Sequence, residues 1–340
     1  MSEIARAPKP AATKPRIWGA LTLAFVVGLY LWEPEQAAAT LSFVVSGMVD
    51  IAPLVIPGVL ASAWVNASGA GGHIARVFEG NRATAILAAA AVGAITPVCG
   101  VAVLPLMAGL LASGVPLAPI MAFWLSSPVT DPAMFAVTAA TLGFGFAVGK
   151  TLAAFGIGLL GGAVTAALSR FAWTRAPLRQ NGIAASLGGG CGTTAPFRLA
   201  IWKEQERRNQ FVKEIWAMTK LLLLCLGFAF SAEYLMQELL APQALAAYVG
   251  NQSRWAIPLA VFVGAPAYLD GYAALPLTRG LIDHGMSQGA AMAFLVSGGV
   301  VSIWGALAII PVLRAKPFML YLVLAVVGSL AAGWLFEWVT

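Results

Sequence analysis

Apolar stretches recur from residue 17 to the end of the chain, and this feature limits the possible folds more than any other. Because 60% of the 340 residues are hydrophobic and only 10% are charged, the chain could not cover a soluble surface. We therefore predict an all-α polytopic membrane protein, a class that disfavours nucleic-acid binders and secreted disulfide scaffolds. The predicted spans are residues 17–32, 38–65, 117–141, 146–169, 214–240, 288–313 and 317–338.

Two further apolar stretches, residues 83–113 and 255–283, are interrupted near their centres, at residues 97–100 and 266–271. Each interruption leaves two arms of about 13 residues. Such an arm reaches about 20 Å, less than the roughly 30 Å of the hydrocarbon core. We therefore predict two broken or re-entrant helical hairpins rather than two further crossings.

The broken stretches belong to an internal repeat. Residues 93–126 and 264–297 are identical at 14 of 34 ungapped positions, several of them Gly or Pro. The spacing from Gly93 to its match Gly264 is constant over both copies, and we call it the repeat interval. Cys99 and Asp270 are separated by this interval, and each precedes a matched glycine. The two predicted hairpins are therefore equivalent elements of a duplicated unit.

The net charge of +6 is concentrated in a tail at residues 1–16 and a central segment at residues 170–213. Lys and Arg next to short loops mark the cytoplasmic side, so both segments should face the cytoplasm. Two re-entrant hairpins satisfy this rule with seven full crossings, the first hairpin entering from the cytoplasm and the second from outside. Residues 66–82 and the basic residues Arg314 and Lys316 then also face the cytoplasm. Counting the hairpin arms differently gives eight to ten helices. The result is an inverted-topology repeat in the inner (plasma) membrane, with membrane halves at residues 17–169 and 214–340.

The candidate solute site lies where helices are broken, because unpaired backbone groups are tolerated at membrane depth only inside protein or beside a water-filled cavity. The helix after each hairpin is interrupted again, at residues 126–132 and 297–299. The candidate solute-binding residues are Thr96, Pro97, Cys99, Gly100, Ser126, Ser127, Tyr268, Asp270, Gly271 and Tyr272.

Three aspartates in or beside the spans are candidates for ion coupling, because an ionised side chain at mid-bilayer costs about 2.5–3.5 kcal/mol. Asp131 could accept a proton or cation, or it could cap a broken helix. Asp270 at a hairpin tip favours function, whereas Asp50 is compatible with either role. Residues 145–151 resemble the end of a phosphate-binding loop but lack its first glycine and its strand, so their glycines predict close helix packing.

The cysteines are too few for a disulfide framework, and no spacing predicts a resident metal site or cofactor. Cys99 could act as a soft thiol ligand. Cys191 is either a second, exposed thiol or part of a glycine-rich linker. Basic and aromatic residues at 197–216 could suggest RNA, but beside a span they favour a surface helix on anionic lipid headgroups. The predicted partners are a small solute or ion and the lipid bilayer, without nucleic acid; a homo-oligomer is compatible with the sequence.

Several of these residues resemble the predicted-permease family that includes YraQ and the organoarsenical efflux permease ArsP. The similarity rests on Gly93-Ala94 with Pro97 and Cys99, on the stretch from Met121 to Pro132, and on residues 264–287. Membership implies a polytopic inner-membrane permease, and ArsP-like members imply export of trivalent organoarsenicals with cysteine thiol ligands. Many relatives have a second cysteine at the first tip, where this chain has Val101.

The sequence therefore predicts a secondary transporter, not an enzyme, that exports a small metalloid, organoarsenical or other soft or anionic solute by ion-coupled alternating access. With Val101 in place of the second thiol, a two-thiolate clamp on trivalent arsenic cannot form at this tip alone. One alternative is a cation or metal-ion permease, or a channel-like protein. A more distant alternative is a membrane enzyme with Cys99 as nucleophile, which would need a general base that neither histidine provides at a tip.

Overall fold

The computed structural model describes residues 34–69, 81–96, 103–112, 114–179, 198, 200–239, 255–267, 271–301 and 312–340. Within these ranges the chain is helical and has no β-strand, and Leu178 and Leu313 form an isolated antiparallel β-bridge. The predicted all-α class is therefore confirmed for the described part of the chain. The predicted first span, residues 17–32, lies outside it.

Twelve α-helices follow one another in the described ranges, and two of them are long and apolar enough to cross a membrane by length and composition. These two are α6, extended by a short 3₁₀ turn to Arg170, and α12. The helices are α1 Pro34–Ser68, α2 Arg82–Ile95, α3 Val103–Ala112, α4 Leu117–Ser126, α5 Pro132–Leu142, α6 Phe144–Ala167, α7 Ala172–Arg175, α8 Gln205–Leu239, α9 Ala256–Ala267, α10 Gly271–Asp283, α11 Gln288–Val300 and α12 Ala315–Val339.

Helices of the first half have counterparts one repeat interval later. Helices α1 and α8 both contain 35 residues, and their first residues, Pro34 and Gln205, are separated by this interval. Helices α4 and α11 begin at the same interval, as do α6 and α12. The turns before α4 and α11 also correspond: Gly114 and Gly285 have φ values of 93° and 98°, a region that favours glycine at helix ends.

Close contacts at α6 fix the directions of α2 and α4. A methyl group placed on Gly162 would meet Ile86 of α2 and Ala122 of α4. A methyl group placed on Gly158, four residues earlier, would meet Ala90 of α2 and Ser126 of α4, which lie four residues later in their helices. Both α2 and α4 therefore run opposite to α6. Because α3 connects the end of α2 with the start of α4, it returns toward the end from which α2 began.

The second half repeats this arrangement in the opposite direction. A methyl group on Gly333 of α12 would lie 2.9 Å from Ile257 of α9 and 2.8 Å from Ala293 of α11, residues one repeat interval after the first-half set. Helices α6 and α12 are antiparallel, since Gly149 meets Phe336 while Ile157 meets Gly328. The helices α2 and α4 therefore run opposite to α9 and α11.

A polar contact joins the end of α1 to the start of α8. Arg207, which is 8% exposed, donates from Nη1 to the Ala67 carbonyl at 3.0 Å and from Nε to Glu204 at 2.7 Å. The hydrogen bond from Arg207 lowers the pKa of the Glu204 carboxyl. The bond to Ala67 uses a carbonyl group that a helix end leaves without a partner.

Helix α8 begins at Gln205, nine residues before the predicted span, within the segment that the sequence assigned to a basic loop. The charged residues of its first turns are good helix formers, so the helix continues where the hydropathy signal ends. From Gln205 onward, the predicted surface helix at residues 197–216 is thus the first part of one long helix.

Backbone contacts also join the end of the first half to the chain before α12. The Arg179 N–H donates to the Val312 carbonyl at 2.9 Å, and the Arg314 N–H donates to the Pro177 carbonyl at 2.8 Å. Arg179 also donates from Nε to the Leu313 carbonyl at 2.8 Å. Two segments that the sequence predicts to be cytoplasmic therefore lie side by side.

Candidate functional site

The helix break of the first half lies against the second half inside the described structure. Helix α4 ends at Ser126 and α5 begins at Pro132, while α11 ends at Val300. A methyl group placed on Gly299 would lie 2.8 Å from the Pro128 carbonyl oxygen. The predicted interruption at residues 297–299 is wrong, because α11 continues to Val300 and Gly299 lies in its last turn. Pro128 and Gly299 are one repeat interval apart, so the first break lies against the end of α11.

Asp131 caps the helix that follows the first break. Its Oδ1 accepts hydrogen bonds from the backbone N–H groups of Ala133 and Met134 at 2.8 and 2.9 Å. Its backbone is extended, and Pro132 occupies the first helical position, which suits proline. Of the two interpretations of Asp131, the cap is therefore present in the structure, and the ion-coupling role stays a prediction.

Asp131→Ala and Asp131→Asn separate these two roles. Asparagine keeps a capping oxygen, so we expect Asp131→Asn to retain stability, whereas Asp131→Ala should lower the free energy of unfolding by about 1 kcal/mol. Unfolding of the purified protein in mixed micelles measures the difference. Equal losses in the two variants would contradict the capping role, because both lack the negative charge. Loss of transport in a stable Asp131→Asn variant would support coupling.

Two equivalent serines occupy close helix contacts. Ser126 donates its hydroxyl to the Ala122 carbonyl at 2.9 Å, and Ser297 donates to the Phe294 carbonyl at 3.1 Å. Each lies against a matched glycine, Gly93 or Gly264. The Ser126 hydroxyl, predicted to bind solute, is thus used within its own helix in this conformation.

Two other predicted solute-binding hydroxyls are described. Thr96, at the end of α2, donates its hydroxyl to the Val92 carbonyl at 2.5 Å. The Ser127 hydroxyl is buried and has no hydrogen-bond partner in the described structure. Ser127 is therefore the described candidate whose hydrogen-bonding capacity is still open to a ligand.

The remaining predicted site residues are not settled by the structure. Of the predicted solute-binding, ion-coupling and thiol residues, those outside the described ranges are Pro97, Cys99, Gly100, Cys191, Tyr268 and Asp270. Asp50, Gly271 and Tyr272 lie in helices, but their side chains are not described. In the part of the chain that is described, no three His, Cys, Asp or Glu residues could together hold a metal ion.

Three buried residues near the breaks were not predicted from the sequence. Lys150 of α6 is only 2% exposed, and Asp131 is the opposing charge that acts on it. Tyr321 of α12 donates its hydroxyl to the Val300 carbonyl at 2.6 Å. Trp124 of α4 stacks on Tyr321, with ring centroids 4.1 Å apart. For Lys150 a signal was present, since it is the lone charged residue of the predicted span 146–169.

An apolar cavity of about 170 Å³ lies between both arms of the first broken stretch and α4. Its walls include Val92 of α2, Met107 of α3 and Ile120 of α4, and its lining is almost entirely apolar. Val92 is four residues from Thr96, so this cavity lies beside the last turn of α2. It could take an apolar group but offers no polar recognition.

Comparisons with known proteins agree with the membrane architecture. A family model described as a predicted permease matches residues 36–338. A UPF0718 protein of Methanocaldococcus jannaschii is 31% identical over 137 residues, 40% of this chain and 37% of the relative. The UPF0718 protein YcgR of Bacillus subtilis is 32% identical over 91 residues, 27% of this chain and 31% of the relative. The matches thus span about a third of these curated relatives. No solved structure matches the chain.

Proposed function

The chain belongs to the predicted permease family, and on this basis we propose that it is a secondary transporter of a small solute in the inner membrane. The observation that carries the proposal is the contact between Pro128 in the first helix break and Gly299 in the last turn of α11. Interrupted helices that meet inside a membrane protein supply backbone polar groups to a solute, and such sites lie at the interface between repeats. The proposed mechanism is alternating access of this site to the two sides.

The contacts between equivalent residues support an inverted-topology repeat. Residues one repeat interval apart can touch only near an axis that relates the two copies, and both Pro128 with Gly299 and Ile157 with Gly328 do so. The opposed directions of α2 with α4 and α9 with α11 agree with such an axis in the membrane plane. The return of α3 toward the start of α2 supports a re-entrant first hairpin.

Contacts between loops support the proposed orientation. The end of α1 contacts Arg198 and Arg207, and Pro177 to Arg179 contact Val312 to Arg314. The charge pattern predicts that all of these segments face the cytoplasm. Seven crossings and two hairpins, with a cytoplasmic N-terminus, would put every one of them on that side.

The proposed site chemistry combines one soft and one hard ligand. Cys99 and Asp270 occupy equivalent tip positions in the repeat, so the axis would bring a thiol and a carboxylate to opposite sides of one site. Asp131 and Asp50 would couple transport to a proton or cation. The proposed solute is a small metalloid, an organoarsenical or another soft or anionic compound that is exported. The chain has one tip cysteine, so a clamp of two tip thiolates on trivalent arsenic is not proposed.

The function can be tested in a bacterial host that lacks its own arsenical and thiophilic-metal efflux systems. Cells would be challenged with arsenite, trivalent methyl and phenyl arsenicals, silver(I) and small oxyanions. We expect the full chain to raise the tolerated concentration of at least one compound, and Asp270→Asn and Cys99→Ser to remove this protection at equal membrane levels. Asp283→Asn, on an exposed residue paired with Arg279, is the matched control. Unchanged tolerance of every compound would overturn the proposal, and full protection by Asp270→Asn would remove Asp270 from the site.

A further inference from the structure

Lys150 is a buried cation in an apolar helix. Helix α6 is one of the two described helices that are long and apolar enough to span a membrane, and Lys150 is 2% exposed within it. An ionisable side chain inside a membrane-spanning helix is costly to bury, and such residues mark solute or ion paths.

Asp131 carries the charge opposite to that of Lys150, but the ammonium donors of Lys150 are not used in hydrogen bonds among the described residues. Asp131 attracts Lys150, yet Asp131 Oδ1 already accepts two backbone N–H groups at 2.8 and 2.9 Å. In the described part of the chain, no ion pair within 4.0 Å and no hydrogen bond uses the Lys150 ammonium. Three ammonium donors are therefore available for another acceptor.

The equivalent position in the second half is neutral and satisfied. Tyr321, which lies one repeat interval after Lys150, donates its hydroxyl to Val300 at the end of α11. The residue one repeat interval before Val300 is Val129 in the first break, two residues from Ser127, whose buried hydroxyl has no partner among the described residues. Among the described residues, the first half thus offers a ligand a cation and a hydroxyl, whereas the residue equivalent to the cation in the second half is a neutral tyrosine that is already hydrogen-bonded.

From these observations we infer that Lys150 and the Ser127 hydroxyl bind an oxyanion group of the solute, such as a carboxylate, sulfonate, phosphate or arsonate. An ammonium and a hydroxyl together match several oxygen acceptors, whereas a cationic solute would be repelled by Lys150. This inference rests on the proposed transport function and assigns its substrate to a chemical class. Lys150 would hold the anionic group beside the breaks, and Asp131 would orient the ammonium in the empty site.

The test uses the purified full chain in lipid nanodiscs at constant ionic strength. The probes are methanesulfonate and its neutral isostere dimethyl sulfone, followed by acetate and inorganic phosphate, with calorimetry as the readout. We expect at least one of the three anions to bind and dimethyl sulfone to bind at least about tenfold more weakly than methanesulfonate. A charge-assisted hydrogen bond predicts a loss of about 10- to 100-fold for Lys150→Gln, with binding retained in Lys150→Arg. The matched control is Lys316→Gln, on an exposed lysine at the start of α12.

Three results would overturn the inference: no binding of any of the three anions to the wild type, equal binding of the sulfone, or wild-type affinity in a folded Lys150→Gln variant. If Lys150→Gln fails to fold in size-exclusion chromatography, the comparison of charged and neutral probes on the wild type decides. Protection of the efflux-deficient host without anion binding would sink this inference while leaving the transport function intact. Anion binding without protection of the host would support the oxyanion site and would overturn the proposed transport function.

Discussion

Trp124→Ala is expected to lower the free energy of unfolding by about 3–5 kcal/mol, the range for removing a large buried aromatic side chain. Trp124 is fully buried in α4 and stacks on Tyr321 of α12, with ring planes inclined by 20°. The substitution would leave a cavity between the two halves of the protein and remove a stacking contact. Unfolding by sodium dodecyl sulfate in mixed micelles measures the loss.

The control for this prediction is Trp338→Ala, because Trp338 is 86% exposed near the end of α12. It should change the free energy of unfolding in micelles by less than about 0.5 kcal/mol. Trp124→Leu introduces the residue found at the equivalent position, Leu295, and should cost less than alanine. Equal effects of Trp124→Ala and Trp338→Ala would show that the contact between the halves contributes little to stability.

Alanine at Gly93 or Gly264 is expected to destabilise the protein by similar amounts, about 1–3 kcal/mol, as overpacking does. A methyl group on Gly93 would lie 2.1 Å from the Ser126 hydroxyl and 2.7 Å from the Phe123 carbonyl oxygen. On Gly264 the corresponding distances to Ser297 and Phe294 are 2.6 and 2.7 Å. A hydroxyl can rotate away, but a backbone carbonyl can move only with its helix. The same micelle unfolding assay measures both variants.

Gly156→Ala in α6 is the matched control, because a methyl group there would meet nothing within 4 Å. We expect Gly156→Ala to raise the free energy of unfolding by about 0.5–1 kcal/mol, the usual gain when alanine replaces a glycine within a helix. Adding Ser126→Ala to Gly93→Ala should recover only part of the loss, since the Phe123 carbonyl remains. Equal tolerance of alanine at residues 93 and 156 would refute the close contact, and unequal losses at 93 and 264 would show that the halves pack differently.

Much of the architecture could be read from the sequence because its breaks are made by glycine and proline, whose effect on a helix is local. The repeat interval and the interruption at 126–132 follow from such residues, whereas the two glycines at 298 and 299 do not end α11, which continues to Val300. The start of α8 could not be read in this way. Hydropathy falls at Arg207 and Arg208, but these residues favour helix, and Arg207 is held by a carbonyl 140 residues earlier.

The site was less predictable because its residues depend on partners distant in sequence. Asp131 could cap or couple, and only the positions of the Ala133 and Met134 amides identify the cap. In the sequence Trp124 does not differ from the other apolar residues of its span, and its stacking on Tyr321 is visible only in the structure. Lys150 lies in a glycine-rich stretch that predicts close helix packing, and its opposing charge, Asp131, belongs to another helix segment. The roles of Cys99 and Asp270 stay predictions.

The contact between Pro128 and Gly299 has an energetic consequence for the proposed cycle. If an axis relates the halves, the inward-open form becomes the outward-open form when the two halves exchange conformations. The contact between Pro128 and Gly299 joins equivalent residues, so it is present in both forms. Wherever the halves carry the same residues, the two forms would then be nearly equal in free energy. Only unmatched positions can set a preferred resting form, and Lys150 with its equivalent Tyr321 is one such pair, differing by one charge. Exchanging those two residues would reverse the part of the preference that this pair contributes.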